Sequence, residues 1–211
     1  MLKLDHLTII APSLNEGLSY IRETLDVDMP IGGRHIEMGS HNHLLRIGSD
    51  VFLEVIAADP AAARPTLPRW FGLDDIHRLR SEWEAGRRLR GWVARTNDLD
   101  AVLATHPNLG MKRRVSRGDM VWHIGVPPDG SLPEDGLAPS VIQWAQSESP
   151  AAVMVDYGMA LHQFVLECPN DLEVENLHLL LAVDNGPLIK KAPATRYCAV
   201  ISTPCGEKIL T

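Results

Sequence analysis

Four short segments of this 211-residue chain constrain its fold more than any other feature. Leu4-Asp5-His6-Leu7-Thr8-Ile9 and Val51-Phe52-Leu53-Glu54-Val55-Ile56 are strand-like runs, rich in apolar and β-branched residues. The first carries a histidine and the second a carboxylate in the middle of the apolar pattern. Leu89-Arg90-Gly91-Trp92-Val93-Ala94 and Pro139-Ser140-Val141-Ile142-Gln143-Trp144 repeat the pair in weakened form. This duplication predicts two similar units facing each other across a shared cavity.

The residues between these runs complete each unit. Ala11-Pro12-Ser13 ends the first strand, and Ser13 with Glu16 three positions on forms a capping box for a helix whose apolar stripe is Leu14, Leu18, Ile21 and Leu25. A short strand and turn from Pro30 to Arg34, a strand from His41 to Ile47 and its hairpin partner from Val51 to Ala57 make the order βαβββ. The Pro- and Ala-rich stretch from Asp59 to Leu67 reads as a connection, and Leu73 to Arg88 as an additional helix. The second unit then runs through a strand from Arg90 to Thr96, a helix carrying Leu99, Val102 and Leu103, extended segments from Met111 to Val115 and Gly118 to Ile124, and the strand Ser140 to Ala145. A turn-rich loop from Pro127 to Pro139 is placed to cover the cavity. Leu161–Cys168, Pro169–Leu181 (with Leu172, Leu177 and Leu180 or Leu181 inward), Leu188–Lys191, Arg196–Ser202 and Lys208–Leu210 give the order β-α-β-β-β once more. The expected class is α+β: paired βαβββ units (about 1–60 and 88–148) forming a curved mixed sheet around a cavity within residues 1–150, with a third, partial βαβββ-like unit over 151–211.

Composition narrows the function. The hydrophobic fraction is 45% and the charged fraction 22%, as in ordinary globular proteins, and the net charge of −7 argues against a nucleic-acid partner. Arg87-Arg88-Leu89-Arg90, with Lys112-Arg113-Arg114 and Arg117 further on, is either an anion-binding stretch or a solvated surface. No basic leader precedes an apolar run, no apolar stretch reaches the ~18 residues that cross a membrane, and Cys168, Cys198 and Cys205 lack metal-type spacing. A cytoplasmic protein with reduced thiols is expected, with a small molecule as partner and homodimerisation left open.

Among residues able to carry chemistry, His6 shares a strand face with Leu4, Thr8 and Ile10. Glu54 interrupts a strongly apolar strand, and burying it requires compensation: a cross-hairpin pair with Arg46, or a role in a pocket. If the hairpin loop has three residues, Asn42, Leu44 and Arg46 share the face of Glu54, and Arg46 becomes a clamp for a substrate carboxylate; a two-residue loop substitutes His43. Gly32, Gly33 and Gly39 allow the preceding loop to fold back tightly. His41 and His43 lie on one strand face. Trp92, Trp122 and Trp144 are either core or an aromatic wall for a planar ligand.

The duplicated pattern, together with Gly32-Gly33-Arg34-His35 through Gly39-Ser40-His41-Asn42-His43-Leu44-Leu45-Arg46, resembles the vicinal oxygen chelate superfamily and its glyoxalase-like branch. In that superfamily, metal ligands project into the cavity from the first and last strands of each unit. The resemblance implies His6, Glu54 and Gln143 as ligands of a divalent Fe, Mn, Ni or Zn ion; the fourth position falls at Gly91 or Trp92, which cannot ligate, so that His123 or His41 would have to complete the set. In that reading Glu54 accepts a proton, and Asn42, Arg46, Trp92, Trp122 and His123 are the expected substrate contacts. The implied activity is chelation of vicinal substrate oxygens in a lyase, isomerase or dioxygenase reaction, the alternative being a metal-free binding or sequestering protein of the same fold.

Overall fold

The computed structural model describes residues 1–145 and 149–211; the expected end of the second unit, at residue 148, lies outside the described residues. The first unit is β1 (Leu2–Ile10), α1 (Leu14–Leu25), β2 (Ile31–His35), β3 (Ser40–Arg46) and β4 (Phe52–Ala58). Ser13 caps α1 as its box predicts: its Oγ accepts from the Glu16 amide and donates to Glu16 Oε2 at 2.8 Å. A connection carrying α2 (Ile76–Glu84) leads to the second unit, β5 (Leu89–Arg95), α3 (Leu99–Thr105), β6 (Met111–Arg117), β7 (Met120–Val126) and β8 (Ser140–Trp144).

The strands form one sheet in the order β2-β3-β4-β1-β5-β8-β7-β6. Read outward from the centre, the two halves have the same order, first strand, fourth, third, second, and β1 meets β5 antiparallel, so the repeat seen in the sequence is a repeat in space. The sheet curls until its two edges approach. There the Ser116 hydroxyl donates to Glu37 Oε1 at 2.5 Å, and Gly33, at φ 147°, leaves room for the Arg117 stem. On the convex side Leu7, Ile9, Leu53, Val55, Trp92 and Val141 pack with α1 and the C-terminal residues; on the concave side lie Ile10, Ile56, Val93, Trp122, Ile124 and Ile142.

A register shift between Leu4 and His6 on β1 departs from simple alternation. Leu4 joins the convex core while His6 stays on the concave face, so the expected shared face of His6 and Leu4 is not formed; the bulge at Asp5 turns successive residues to the same region.

The C-terminal residues form β9 (Ala160–Cys168), α4 (Asp171–Leu180), β10 (Val183–Asp184), β11 (Leu188–Lys191), β12 (Arg196–Thr203) and β13 (Gly206–Leu210). The element order is that expected of a third unit, but the pairing is its own: β10 joins β1, and the remaining strands make a second sheet, β11-β9-β12-β13, with β11 parallel to β9. Helix α4 and its cap turn Leu177 and Leu181 inward as expected, with Val174 beside them, but leave Leu172 exposed, contrary to expectation. Trp92 packs edge-on to Phe164 and His178, and the Thr211 carbonyl accepts from the amides of Arg88 and Leu89, so the end of the chain is stapled to the start of β5. No helix is long and apolar enough to cross a membrane among the described residues.

Candidate functional site

The concave face of the first unit opens into a narrow pocket with His6, Asn42 and Glu54 among its polar lining and Phe52, Trp70, Phe71, Trp122 and Trp144 among its walls. The hairpin explains the convergence. Ile47 N donates to Val51 O across Gly48-Ser49-Asp50, a three-residue loop, and Leu44 therefore pairs with Glu54 and puts Asn42 on the same face. Asn42 Nδ2 donates to Glu54 Oε1 at 2.6 Å. Glu54 Oε2 faces His6 Nε2 at 3.5 Å from the neighbouring strand.

Behind His6 stands Asp5, fully buried, with Oδ1 2.7 Å from His6 Nδ1. Its second oxygen accepts from Trp144 Nε1 at 3.0 Å and from Arg95 at 3.4 Å. Phe52 stacks on the imidazole, with centroids 4.4 Å apart. Burial taken alone would lower the His6 pKa, but it is outweighed by hydrogen bonding to Asp5 and Glu54 and by their charges, which raise it to about 9. His6 is thus a cation between two carboxylates. Burial opposes ionisation of Glu54 too, and the hydrogen bond and charge of His6, with the Asn42 hydrogen bond, overcome it, holding the carboxyl below its usual range.

His35 is the contrasting histidine. Burial, the dominant effect, pushes it down to about 4, so it is neutral. Asn42 Nδ2 lies 3.4 Å from its Nε2, and its Nδ1 lies 3.0 Å from Ser40 Oγ, which also accepts from Trp70 Nε1 at 3.1 Å. The network places the His35 proton on Nδ1. From the second unit Arg117 reaches over the Trp122 ring, 5.9 Å from its centroid, and donates to Asn42 Oδ1 at 3.3 Å.

Of the residues expected from sequence, His6, Glu54, Asn42 and Trp122 meet in this pocket, and Trp144 joins them. Of the two alternatives for Glu54, the pair with Arg46 does not form. Arg46 lies past the end of the pocket, donating to Gly48 O at 3.0 Å with Asp156 at 3.8 Å. Trp92 is on the opposite face, in the convex core. Gln143 is turned away as well: its Oε1 accepts from Leu99 N and its Nε2 donates to Asn97 O, both at 3.0 Å, fastening the start of α3. His123 pairs with Gln143 on the strand and alternates with Trp122 and Ile124, which do face the cavity. His41 lies outside the pocket lining, as does His43, whose Nδ1 lies 2.8 Å from Met29 O. Position 91 lies on the concave face but is glycine, and a Cβ there would sit 3.2 Å from Leu132, which the 127–139 loop packs into the concave cluster. Asp5, His35, Trp70 and Phe71 were not expected. Asp5 had a signal in its adjacency to His6; the Trp70-Phe71 pair, in a connection, had none.

This donor set does not fit the divalent ion that the resemblance implies. A catalytic site of that kind takes three protein ligands, and here His6 and Glu54 face each other while the other oxygen of Glu54 is taken by the Asn42 amide. The described residues contain no group of three His, Cys, Asp or Glu arranged to hold a metal.

A family model described as a glyoxalase-like domain matches residues 4–180. No curated protein matches the chain. Among solved structures, a hypothetical protein from Staphylococcus aureus is similar over 96% of this chain and 92% of that one, at 14% identity and a TM-score of 0.62, so the fold is shared almost from end to end. A methylmalonyl-CoA epimerase in complex with methylmalonyl-CoA and NH4+ is similar over 71% of this chain and 99% of its own, at 16% identity and a TM-score of 0.43. A Streptomyces coelicolor methylmalonyl-CoA epimerase gives 17% identity and the same TM-score over 71% of this chain and 100% of its own. Likenesses at those scores leave the reaction open.

Proposed function

The chain belongs to the glyoxalase-like domain family of the vicinal oxygen chelate superfamily, and from that premise we propose that it is a small-molecule enzyme that moves a proton in its cavity, with Glu54 as the accepting base. The observation that carries this reading is Glu54 itself, an ionised carboxylate buried in an aromatic-walled pocket, oriented by Asn42 on one oxygen and by cationic His6 on the other. A buried charge of this kind is expensive to maintain, and a fold that needed only a packed interior would place an apolar residue there.

The chemistry follows from the arrangement. A C–H proton next to a substrate carbonyl passes to a Glu54 oxygen, the C–H electron pair moves into the carbonyl to give an enolate, and return of the proton to carbon or loss of a leaving group completes an isomerase or lyase outcome. His6 holds Glu54 ionised and oriented, and Asp5, fixed by Trp144 and Arg95, holds His6. The Trp70, Trp122 and Trp144 walls exclude water from the pair and also favour the second reading, a binding protein for a planar ligand.

Proton exchange separates the two. In D2O, wild-type protein dialysed against a chelator is expected to introduce deuterium next to the carbonyl of small ketones or 2-oxo acids, followed by NMR, and Glu54→Gln is expected to lower the rate by about 10²–10⁴-fold, the usual contribution of a positioned base. Binding without exchange would favour the sequestering role. Exchange that needs one equivalent of a divalent metal, lost in His6→Ala, would replace this reading by the metal-chelating one.

A further inference from the structure

The pocket contains a cation that the proton transfer does not use. Arg117, the last residue of β6, is half-buried, and its contacts are the Asn42 amide oxygen at 3.3 Å, the Met120 sulfur at 3.8 Å and the Trp122 face. No carboxylate lies within ion-pair distance of it among the described residues, whereas Arg95, on the far side of His6, is paired with Asp5 and Asp50. The carboxylate in the same pocket, Glu54, is already held by Asn42 and His6. The backbone makes room for this side chain: a Cβ at Gly33 would lie 2.7 Å from Arg117 Cδ, so glycine on the facing edge strand lets the guanidinium fold inward. A half-buried guanidinium whose hydrogen-bond partners among the described residues are neutral, and on which the Glu54 charge acts only from beyond ion-pair distance, is stabilised further when an anion docks on it.

Resting on the proton-transfer reading of the same site, we propose that Arg117 selects the substrate: a small monocarboxylate with a planar, apolar body. Its carboxylate lies on the guanidinium fork and its body against Trp122 and Trp144, whose rings are 5.3 Å apart. Asn42 sets the distance to the chemistry, because one amide accepts from Arg117 through Oδ1 and donates to Glu54 through Nδ2. An anion anchored on Arg117 therefore brings the carbon next to its carboxylate, or one atom beyond, to the Glu54 side of the pocket. Burial of Arg117 works in the same direction, since it disfavours the bare cation and is offset when an anion binds.

Benzoate and benzamide are a matched pair of probes, equal in shape and different in charge. Quenching of the pocket tryptophans is expected to show benzoate binding at least about tenfold tighter than benzamide, equivalent to about 1.4 kcal/mol. Arg117→Met should remove the preference, and Arg117→Lys, which keeps the charge and loses the fork, should restore part of it. Equal binding of the two probes, a preference that survives Arg117→Met, or no benzoate binding up to about 10 mM, weaker than about 3 kcal/mol, would overturn the assignment. Glu54→Gln is expected to retain the benzoate preference, so failure of the proton-transfer reading appears in deuterium exchange and failure of this one in the ratio of the two affinities.

Discussion

His6 sits between two carboxylates, and its raised pKa makes stability depend on pH in a direction that can be worked out. The group titrates near 9 in the folded protein and near 6.5 when unfolded, so the folded state holds the proton more tightly. The stabilisation is fully present below about pH 6.5 and is lost as pH rises through about 9. A difference of about 2.5 pH units at 1.36 kcal/mol each gives about 3 kcal/mol in all, most of which is lost between pH 7 and 9.5. His6→Gln removes the titrating group. The variant should be less stable at neutral pH, because Asp5 and Glu54 lose their shared cation, and it should also lack the alkaline decline. Urea unfolding of both proteins at about pH 7 and about pH 9.5 measures this as a difference of differences, in which every other titrating group cancels to first order. If the wild type and His6→Gln lose stability in parallel across that interval, His6 is not the buried cation and the account of the Glu54 environment fails with it.

Three further perturbations test the packing that holds the site. Gly33→Ala puts a side chain at φ 147° and within 2.7 Å of the Arg117 stem, so it should cost about 1–2 kcal/mol in a denaturation midpoint and weaken benzoate binding together; an unchanged protein would mean that the two sheet edges do not approach there. Gly17→Ala in α1 would set its Cβ 2.4 Å from Val55 on β4, and the overpacking, about 1–3 kcal/mol, should exceed the roughly 1 kcal/mol gained in helix propensity; a higher melting temperature would refute the helix–sheet contact. Ending the chain after residue 149 removes Phe164 from Trp92 and Leu166, Tyr197 and Leu210 from the shared core, and should yield an insoluble or molten product, whereas a cooperatively melting fragment would show that the first 149 residues fold alone.

What the sequence disclosed and what it concealed divide along one physical line, whether a strand's two faces differ. In β3 and β4 the hairpin loop length sets the register, and once the three residues Gly48-Ser49-Asp50 are taken as the turn, Asn42 and Glu54 must share a face, as they do. The capping box at Ser13 is likewise local and is realised. In β5 and β8 both faces are buried: Trp92 and Val93 are each almost fully covered, as are Val141 and Ile142, so alternation carries no sign to say which residue points inward. A slip of one position exchanges the faces, and that is the whole difference between Gln143 as an inward ligand and Gln143 as the residue that fastens α3. The bulge at Asp5 is invisible for a related reason, since it is defined by pairing with β5 rather than by anything within β1. The same holds for the C-terminal unit, where the order β-α-β-β-β is legible and the choice of neighbours is not, because several pairings bury the same apolar residues. Arg117 was readable only as one member of a basic stretch. What makes it part of the site is the absence of a Cβ at Gly33 on the other half of the repeat, a contact between residues 84 positions apart that closes only when the sheet curls.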